Sequence, residues 1–407
     1  MKIPLPAKII ILLLTALIAW NFFLPAAEDM YNNVTRSETN SSMDLKNVDF
    51  FVYYTAGSRL LHGNNPYFFG HDQQGNQIIS DYHYPPVFLP IFSLFARLGY
   101  DLARLLWLVL YAISYLAILV IMARSMPSEW SFPFLIAGIL LTLLAYPLLG
   151  HILTGQADIF IISLILGSYL AYATKHRILS AILLAVGTVL KVSPLFLLAY
   201  FVLFLRDYKY LLVYLASLLV IAAISLFFVP FSYYPDYIIR VLPEVAKGTE
   251  LKLSQSLVSY FAFSPFLTRL ISLSGLGALA VLAWLVGNFF SPAERTPVLP
   301  LASDHFRTEV VFILCLSWVL IFHTGVWPYT YVWLILPLVW LLTGLIRQRV
   351  KPTYLVIVIL GIFLVMAKDY GLSGLNKLNL WGNMLLTITL IVGLFKKEFF
   401  SQLPGPH

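Results

Sequence analysis

Asp49 is the residue best suited by type and setting to do chemistry. It opens the amphipathic stretch Asn47-Val48-Asp49-Phe50-Phe51-Val52-Tyr53-Tyr54. A carboxylate at a membrane surface beside aromatic neighbours is partly desolvated, which raises its pKa and makes it a stronger base than a free aspartate. The alternative reading is a helix N-cap, because Asp ahead of an apolar-periodic run is a helix-start signal. Lys191 is a second candidate. It lies in Lys191-Val192-Ser193-Pro194, at a break between two apolar runs. A lysine there is expensive unless it meets water or an anion. It could hold a phosphate as a point charge, or snorkel to the interface.

Three further groups have the right residue types. Gln156 and Asp158, in Thr154-Gly155-Gln156-Ala157-Asp158, open an apolar run and read either as helix-capping residues or as partners for ligand hydroxyls. Gln255, in Ser254-Gln255-Ser256-Leu257, has the same two readings. His323 and the run Trp327, Tyr329, Tyr331, Trp333 sit at the end of a predicted span. Such aromatics form interfacial belts, and their faces also suit stacking on sugars. The sequence has no phosphate-cradling glycine loop, no His-Glu-x-x-His and no paired cysteines, so no metal site is expected.

The elements that must position these residues are helices in a membrane. The chain has 407 residues, 60% of them hydrophobic and only 11% charged, with a mean hydropathy of +0.85. Soluble domains carry about 25% charged residues. Apolar windows of about 20 residues recur along the whole length, so the expected class is an all-α, polytopic membrane protein forming a single domain over 1–407. Cys315, the one cysteine, excludes an internal disulfide. About twelve spans are predicted, at 8–25, 102–123, 131–149, 157–174, 178–191, 193–206, 209–230, 266–290, 309–323, 328–346, 352–368 and 380–395. The first is read as uncleaved. The two short spans flanking Lys191 suggest helices broken at a functional point.

Charge supplies the orientation. With both termini cytoplasmic, Lys175-His176-Arg177 and Arg347-Gln348-Arg349 fall in short inside loops, as the positive-inside rule requires. The net charge of +7 thus belongs to topology and not to nucleic acid. Residues 26–101 become an outer loop with two juxtamembrane helices, at about 49–61 and 85–98. The same topology puts His151 to Asp158, Lys191 to Pro194, the loop 231–265 and His323 to Tyr331 on the outer side.

Taken in order, these residues resemble glycosyltransferase family 87, a branch of the GT-C superfamily. The resemblance covers roughly 1–345. It rests on Asp49 with its aromatics, Gly63, Pro66-Tyr67 and Tyr84-Pro85-Pro86, then Gly155-Gln156-x-Asp158, Lys191-x-x-Pro194, Gln255-Ser256-Leu257, and Tyr331-Val332-Trp333 through Pro337. Two positions depart from the pattern. Asp158 replaces an Asn, and Tyr329-Thr330 stands where the family often has adjacent histidines, for which His323 is the substitute at a different spacing.

The resemblance implies a GT-C-like fold and an inverting transferase in the plasma (inner) membrane, with its active site on the outer face. It would move a mannose-like hexose or an arabinofuranose from a polyprenyl-phosphate donor to a lipid-linked or cell-envelope glycan. Asp49 would be the general base. Lys191 and His323 would bind the donor phosphate. Tyr53, Arg59, Tyr67, Tyr84, Gln156, Asp158, Gln255, Ser256, Trp327 and Tyr331 would contact substrate. No cofactor or metal is implied beyond the polyprenyl-phosphate sugar itself. The competing readings are a transporter or flippase of a lipid-linked sugar, and a non-catalytic membrane subunit.

Overall fold

The computed structural model of the chain describes residues 13–23, 49–71, 77–80, 82–243, 254–290, 306–368 and 377–396. Much of the expected outer loop ahead of Asp49, and both termini, lie outside the described residues.

Helix α1, Asp49–Leu61, carries its buried residues Phe50, Tyr53, Ala56 and Gly57 at helical spacing, so one stripe faces inward. It stops at Gly63, whose φ of +70° is the left-handed conformation that helix ends favour. There the Gly63 and Asn64 amides donate to the Leu60 and Arg59 carbonyls. Two short antiparallel strands follow, β1 Phe68–His71 and β2 Gln77–Ile79, with Phe68 opposite Ile79. They depart from the all-α expectation. Short apolar pairs flank a polar, glycine-containing run here, which is hairpin patterning. Arg59 also ties the hairpin to α1, its Nε donating to the Asn65 carbonyl at 3.0 Å and its Nη2 to that of Phe68 at 2.5 Å.

A single 3-10 turn, Pro86–Phe88, leads into α2, Leu89–Ala96. Helices α1 and α2 touch backbone to backbone. A Cβ built on Gly57 would lie 2.3 Å from the carbonyl carbon of Phe92.

The remaining helices are α3 Tyr100–Ser125, α4 Ser128–Leu144, α5 Tyr146–Thr154, α6 Asp158–Ala173, α7 Arg177–Leu190, α8 Tyr208–Ser225, α9 Pro265–Phe289, α10 Phe306–Phe322, α11 Val332–Arg347, α12 Pro352–Met366 and α13 Leu378–Phe395. The chain is a helical membrane protein. Among the described residues, five helices are long and apolar enough to cross a membrane, or six if α4 and α5 count as one bent span. The expected twelve exceed this number. Helix α7 has 14 residues, about 21 Å at the usual rise against a hydrocarbon core of about 30 Å. An apolar run of that length reads the same whether it crosses or packs inside.

The expected span 131–149 also differs, for the chain bends by 65° between α4 and α5. Pro147 is one cause. It has no amide to offer the preceding turn, and its ring crowds the carbonyl four residues back. Asn21 secures the break, its Nδ2 donating to the carbonyls of Leu144 and Met366 at 2.7 and 3.0 Å.

Helix α11 holds the centre. The apolar window of Pro328–Arg347 is 89% buried, against 17% for α8 and 33% for α3. A helix that is apolar all round and still buried belongs inside the bundle, whereas α3 and α8 present their apolar surface to lipid.

The contact at Gly57 gives a stability prediction. Gly57→Ala forces a methyl group into the Phe92 backbone, so α1 and α2 must separate. The detergent-solubilised variant is expected to lose about 1–3 kcal/mol of stability. A melting temperature equal to that of the parent would show that the two helices do not depend on this approach.

Candidate functional site

The site is assembled where α1, the corner between α5 and α6, the end of α7 and the start of α11 meet. Gly155 makes the corner, with φ of +73°. Its carbonyl accepts the Trp107 indole N–H at 2.9 Å. The next residue, Gln156, is a hydrogen-bond hub. Its Oε1 accepts from Tyr53 at 3.2 Å and from Tyr84 at 3.1 Å, and its Nε2 donates to the Tyr329 hydroxyl at 3.1 Å. The Tyr53 and Tyr84 hydroxyls lie 2.7 Å apart, so the one Tyr53 proton is shared between Tyr84 and Gln156. Burial holds the Tyr53 and Tyr84 hydroxyls far above the usual phenol pKa, so both stay protonated and can donate.

Asp49 stands against this hub. Burial pushes its carboxyl up to about 6, and the negative charge of Asp158 acts in the same direction. The Gln156 amide, the Lys191 charge and its own backbone N–H hold it lower than burial alone would. Asp49 heads α1, as a cap would. Even so, its environment is that of a desolvated carboxyl close to neutral pKa, a condition that favours general base catalysis.

Asp158 is the second carboxylate, 1% exposed at the first turn of α6. It makes no capping hydrogen bond, for the cap position is Ala157 and lacks a side-chain acceptor. Instead its carboxylate takes Lys191 Nζ at 2.9 and 3.2 Å and the Trp333 indole N–H at 2.9 Å. Lys191 extends from the end of α7 in an extended conformation, with its ammonium 5.9 Å from the centre of the Trp333 ring. It therefore ends in an ion pair and not in a snorkel to the surface. Each charge was read separately in the sequence. Two opposite charges in neighbouring apolar runs, each too costly alone, were the available signal that they pair.

His323 lies beside this pair, at the end of α10. Its Nδ1 accepts from the Gly325 amide at 3.1 Å, so in the neutral ring the proton sits on Nε2, which faces Ser193 Oγ at 3.3 Å. Trp327 stacks on Tyr329, the ring centres 6.2 Å apart and nearly parallel.

Other expected contacts are placed differently. Tyr331 is fully buried, and its hydroxyl donates to the Gln255 carbonyl at 2.8 Å. The Gln255 amide donates to the Val326 carbonyl, and Ser256 meets Ser254 at 3.0 Å. These residues dock the segment after 253 onto the loop before α11. Tyr67, 0% exposed, supports the site from behind, its hydroxyl donating to the Tyr84 carbonyl at 2.8 Å. Arg59 is engaged by the hairpin. Tyr329 and Trp333, both in the aromatic run, join the site itself, as does Gly155. What marked Tyr329 was its place where the resembled family has histidine.

The fold and site thus define a helical membrane protein with a partly desolvated carboxylate, a tyrosine-lined amide hub and a buried lysine at one end of its bundle. The sequence model of glycosyltransferase family 87 matches residues 82–317, more than half of the chain, and the chain belongs to that family. It is accordingly a glycosyltransferase. No curated protein matches it. The matched region contains Tyr84, Gln156, Asp158, Lys191, Gln255 and Ser256. Asp49 precedes it and His323 follows it, and geometry alone ties those two to the rest.

The buried pair yields a prediction of its own. Lys191→Ala leaves the Asp158 carboxylate buried and uncompensated, at an expected cost of about 3–5 kcal/mol. Adding Asp158→Asn removes the orphaned charge and should recover most of that loss. Equal melting temperatures for the single and double variants would mean that the ion pair does not govern stability.

Proposed function

We propose that the chain transfers a sugar, a mannose-like hexose or an arabinofuranose, from a polyprenyl-phosphate donor to a lipid-linked or cell-envelope glycan, with inversion. The environment of Asp49 carries this reading. Asp49 takes the proton from the acceptor hydroxyl while that oxygen bonds to the anomeric carbon. The bond from the anomeric carbon to the phosphate oxygen breaks, and the electron pair leaves on polyprenyl phosphate. Lys191, held by Asp158, supplies positive charge to the departing phosphate, and His323 Nε2–H faces the same end of α7. Preorganised charge of this kind acts where negative charge develops. Tyr84, Trp327 and the Gln156 hub contact the sugars. The donor carries its activation in the phosphate ester, so no metal or further cofactor enters the scheme.

The chemistry is tested with purified protein and a panel of polyprenyl-phosphate sugars. Asn caps a helix nearly as well as Asp but cannot accept a proton. Asp49→Asn should therefore fold normally and lose about 10²- to 10⁴-fold in transfer. The base must be ionised, and its carboxyl is pushed up to about 6. In the parent protein, kcat/KM should hold above that pH and fall about ten-fold per unit below it. Transfer by Asp49→Asn within a few-fold of the parent would sink the assignment.

The lipid donor also implies a side. We place residues 26–101 and the site on the outer face of the plasma membrane, with both termini cytoplasmic and the shorter apolar helices completing about twelve crossings. His62 and His176 are both exposed. In a Cys315→Ala background, an impermeant thiol reagent added outside should label His62→Cys and spare His176→Cys. The reverse pattern would invert the topology.

A further inference from the structure

The close approach of Phe50 to Gly155 sets Asp49 beside Gln156, whose amide holds the Asp49 carboxyl lower than burial alone would. The Gln156 Nε2 donates to the Tyr329 hydroxyl at 3.1 Å. Gln156 thus adjoins both Asp49 and Tyr329. Tyr329 accepts from Gln156, and no described residue accepts the proton of its hydroxyl. The buried members of the cluster are Tyr53, at 0% exposure, and Gln156, at 6%. Asp49, Tyr84, Trp327 and Tyr329 are only partly buried. The open side of the hub is therefore the side bearing Asp49 and Tyr329.

We propose that Tyr329 is the residue that holds the acceptor hydroxyl against Asp49. The hydroxyl oxygen of the incoming acceptor sits between the two groups, donating its proton to Asp49 and accepting the proton of Tyr329. Its remaining lone pair is left facing the anomeric carbon. Gln156 donates to Tyr329 beside Asp49, and Trp327 fixes the Tyr329 ring by stacking. This assignment rests on the transferase reading of the same site and adds to it the group that selects and aims the acceptor.

Tyr329→Phe keeps the ring and its stacking on Trp327 and removes only the hydroxyl. With a short-chain polyprenyl-phosphate mannose or arabinofuranose as donor and an alkyl glycoside as acceptor, the acceptor KM should rise roughly five- to ten-fold, as expected for one lost neutral hydrogen bond. The donor KM should stay within two-fold of the parent. Tyr329→His restores a donor and should recover part of the acceptor affinity. An unchanged acceptor KM in Tyr329→Phe, or an equal rise in the donor KM, overturns the assignment while leaving the transferase reading intact. No transfer by the parent protein from either donor overturns both. If Tyr329→Phe does not fold, an acceptor KM for Tyr329→His higher than that of Tyr329→Ala overturns the assignment as well.

Discussion

Asp49 meets its partners because Gly155 has no side chain. A Cβ on Gly155 would lie 2.6 Å from the Cβ of Phe50, closer than two such carbons can stand. Phe50 occupies that space and is wedged among Phe95, Tyr100 and Trp107, with ring centres 5.5–6.2 Å away. Its predecessor Asp49 is thereby carried to the residue that follows Gly155, which is Gln156. The left-handed conformation at Gly155 adds a second constraint, since a side chain there would be strained whatever the space. One close approach thus joins the first-loop helix to the interior of the bundle. The hydrogen bonds from Tyr53 and Tyr84 to Gln156 are made across that junction.

The two carboxylates of the site illustrate how environment divides identical chemistry. Asp158 is the more deeply buried, yet it has a lysine and an indole N–H on its oxygens. Its charge is neutralised in place, and it serves to hold Lys191 and Trp333 together. Asp49 has an amide and a distant lysine, so burial dominates and its carboxyl moves towards neutral pKa. The two carboxylates thus differ in setting, one in an ion pair and one against an amide. Tyrosines surround them. Their buried hydroxyls remain protonated, so they supply hydrogen bonds and add no further base.

Much of this was legible in the sequence, and unevenly so. Class and membrane residence follow from hydropathy alone. The helix from Asp49 to Leu61 is marked at one end by an acid and at the other by glycine. The candidate residues Asp49, Gln156, Asp158 and Lys191 could be named because polar groups amid hydrocarbon are conspicuous. What could not be read was pairing. Nothing in the local sequence says that Lys191 ends on a carboxylate 33 positions earlier, or that Tyr331 faces a backbone carbonyl while Tyr329 faces the site. Neighbouring aromatics on one turn look alike until the turn is placed. The count of spans differs for a related reason, five or six helices among the described residues being long enough to cross. A buried short helix and a crossing helix are equally apolar, and only length and bending separate them.

The location of the site follows from the backbone. Hydrocarbon offers no partner for a free amide or carbonyl, so irregular chain survives at membrane depth only where protein or enclosed water satisfies it. In this fold the interruptions are the corner at Gly155, the extended residue at Lys191 and the segment between α10 and α11. Two of them are satisfied by side chains from elsewhere, Trp107 on the Gly155 carbonyl and Ser254 on that of Val326. Those polar side chains can exist in an apolar bundle only because broken backbone needs them. Once several breaks lie together, the donors and acceptors left over are already desolvated and already oriented. Sugar transfer by a membrane-embedded protein has use for groups of that kind, and this fold places them at the ends of helices and not in their middles.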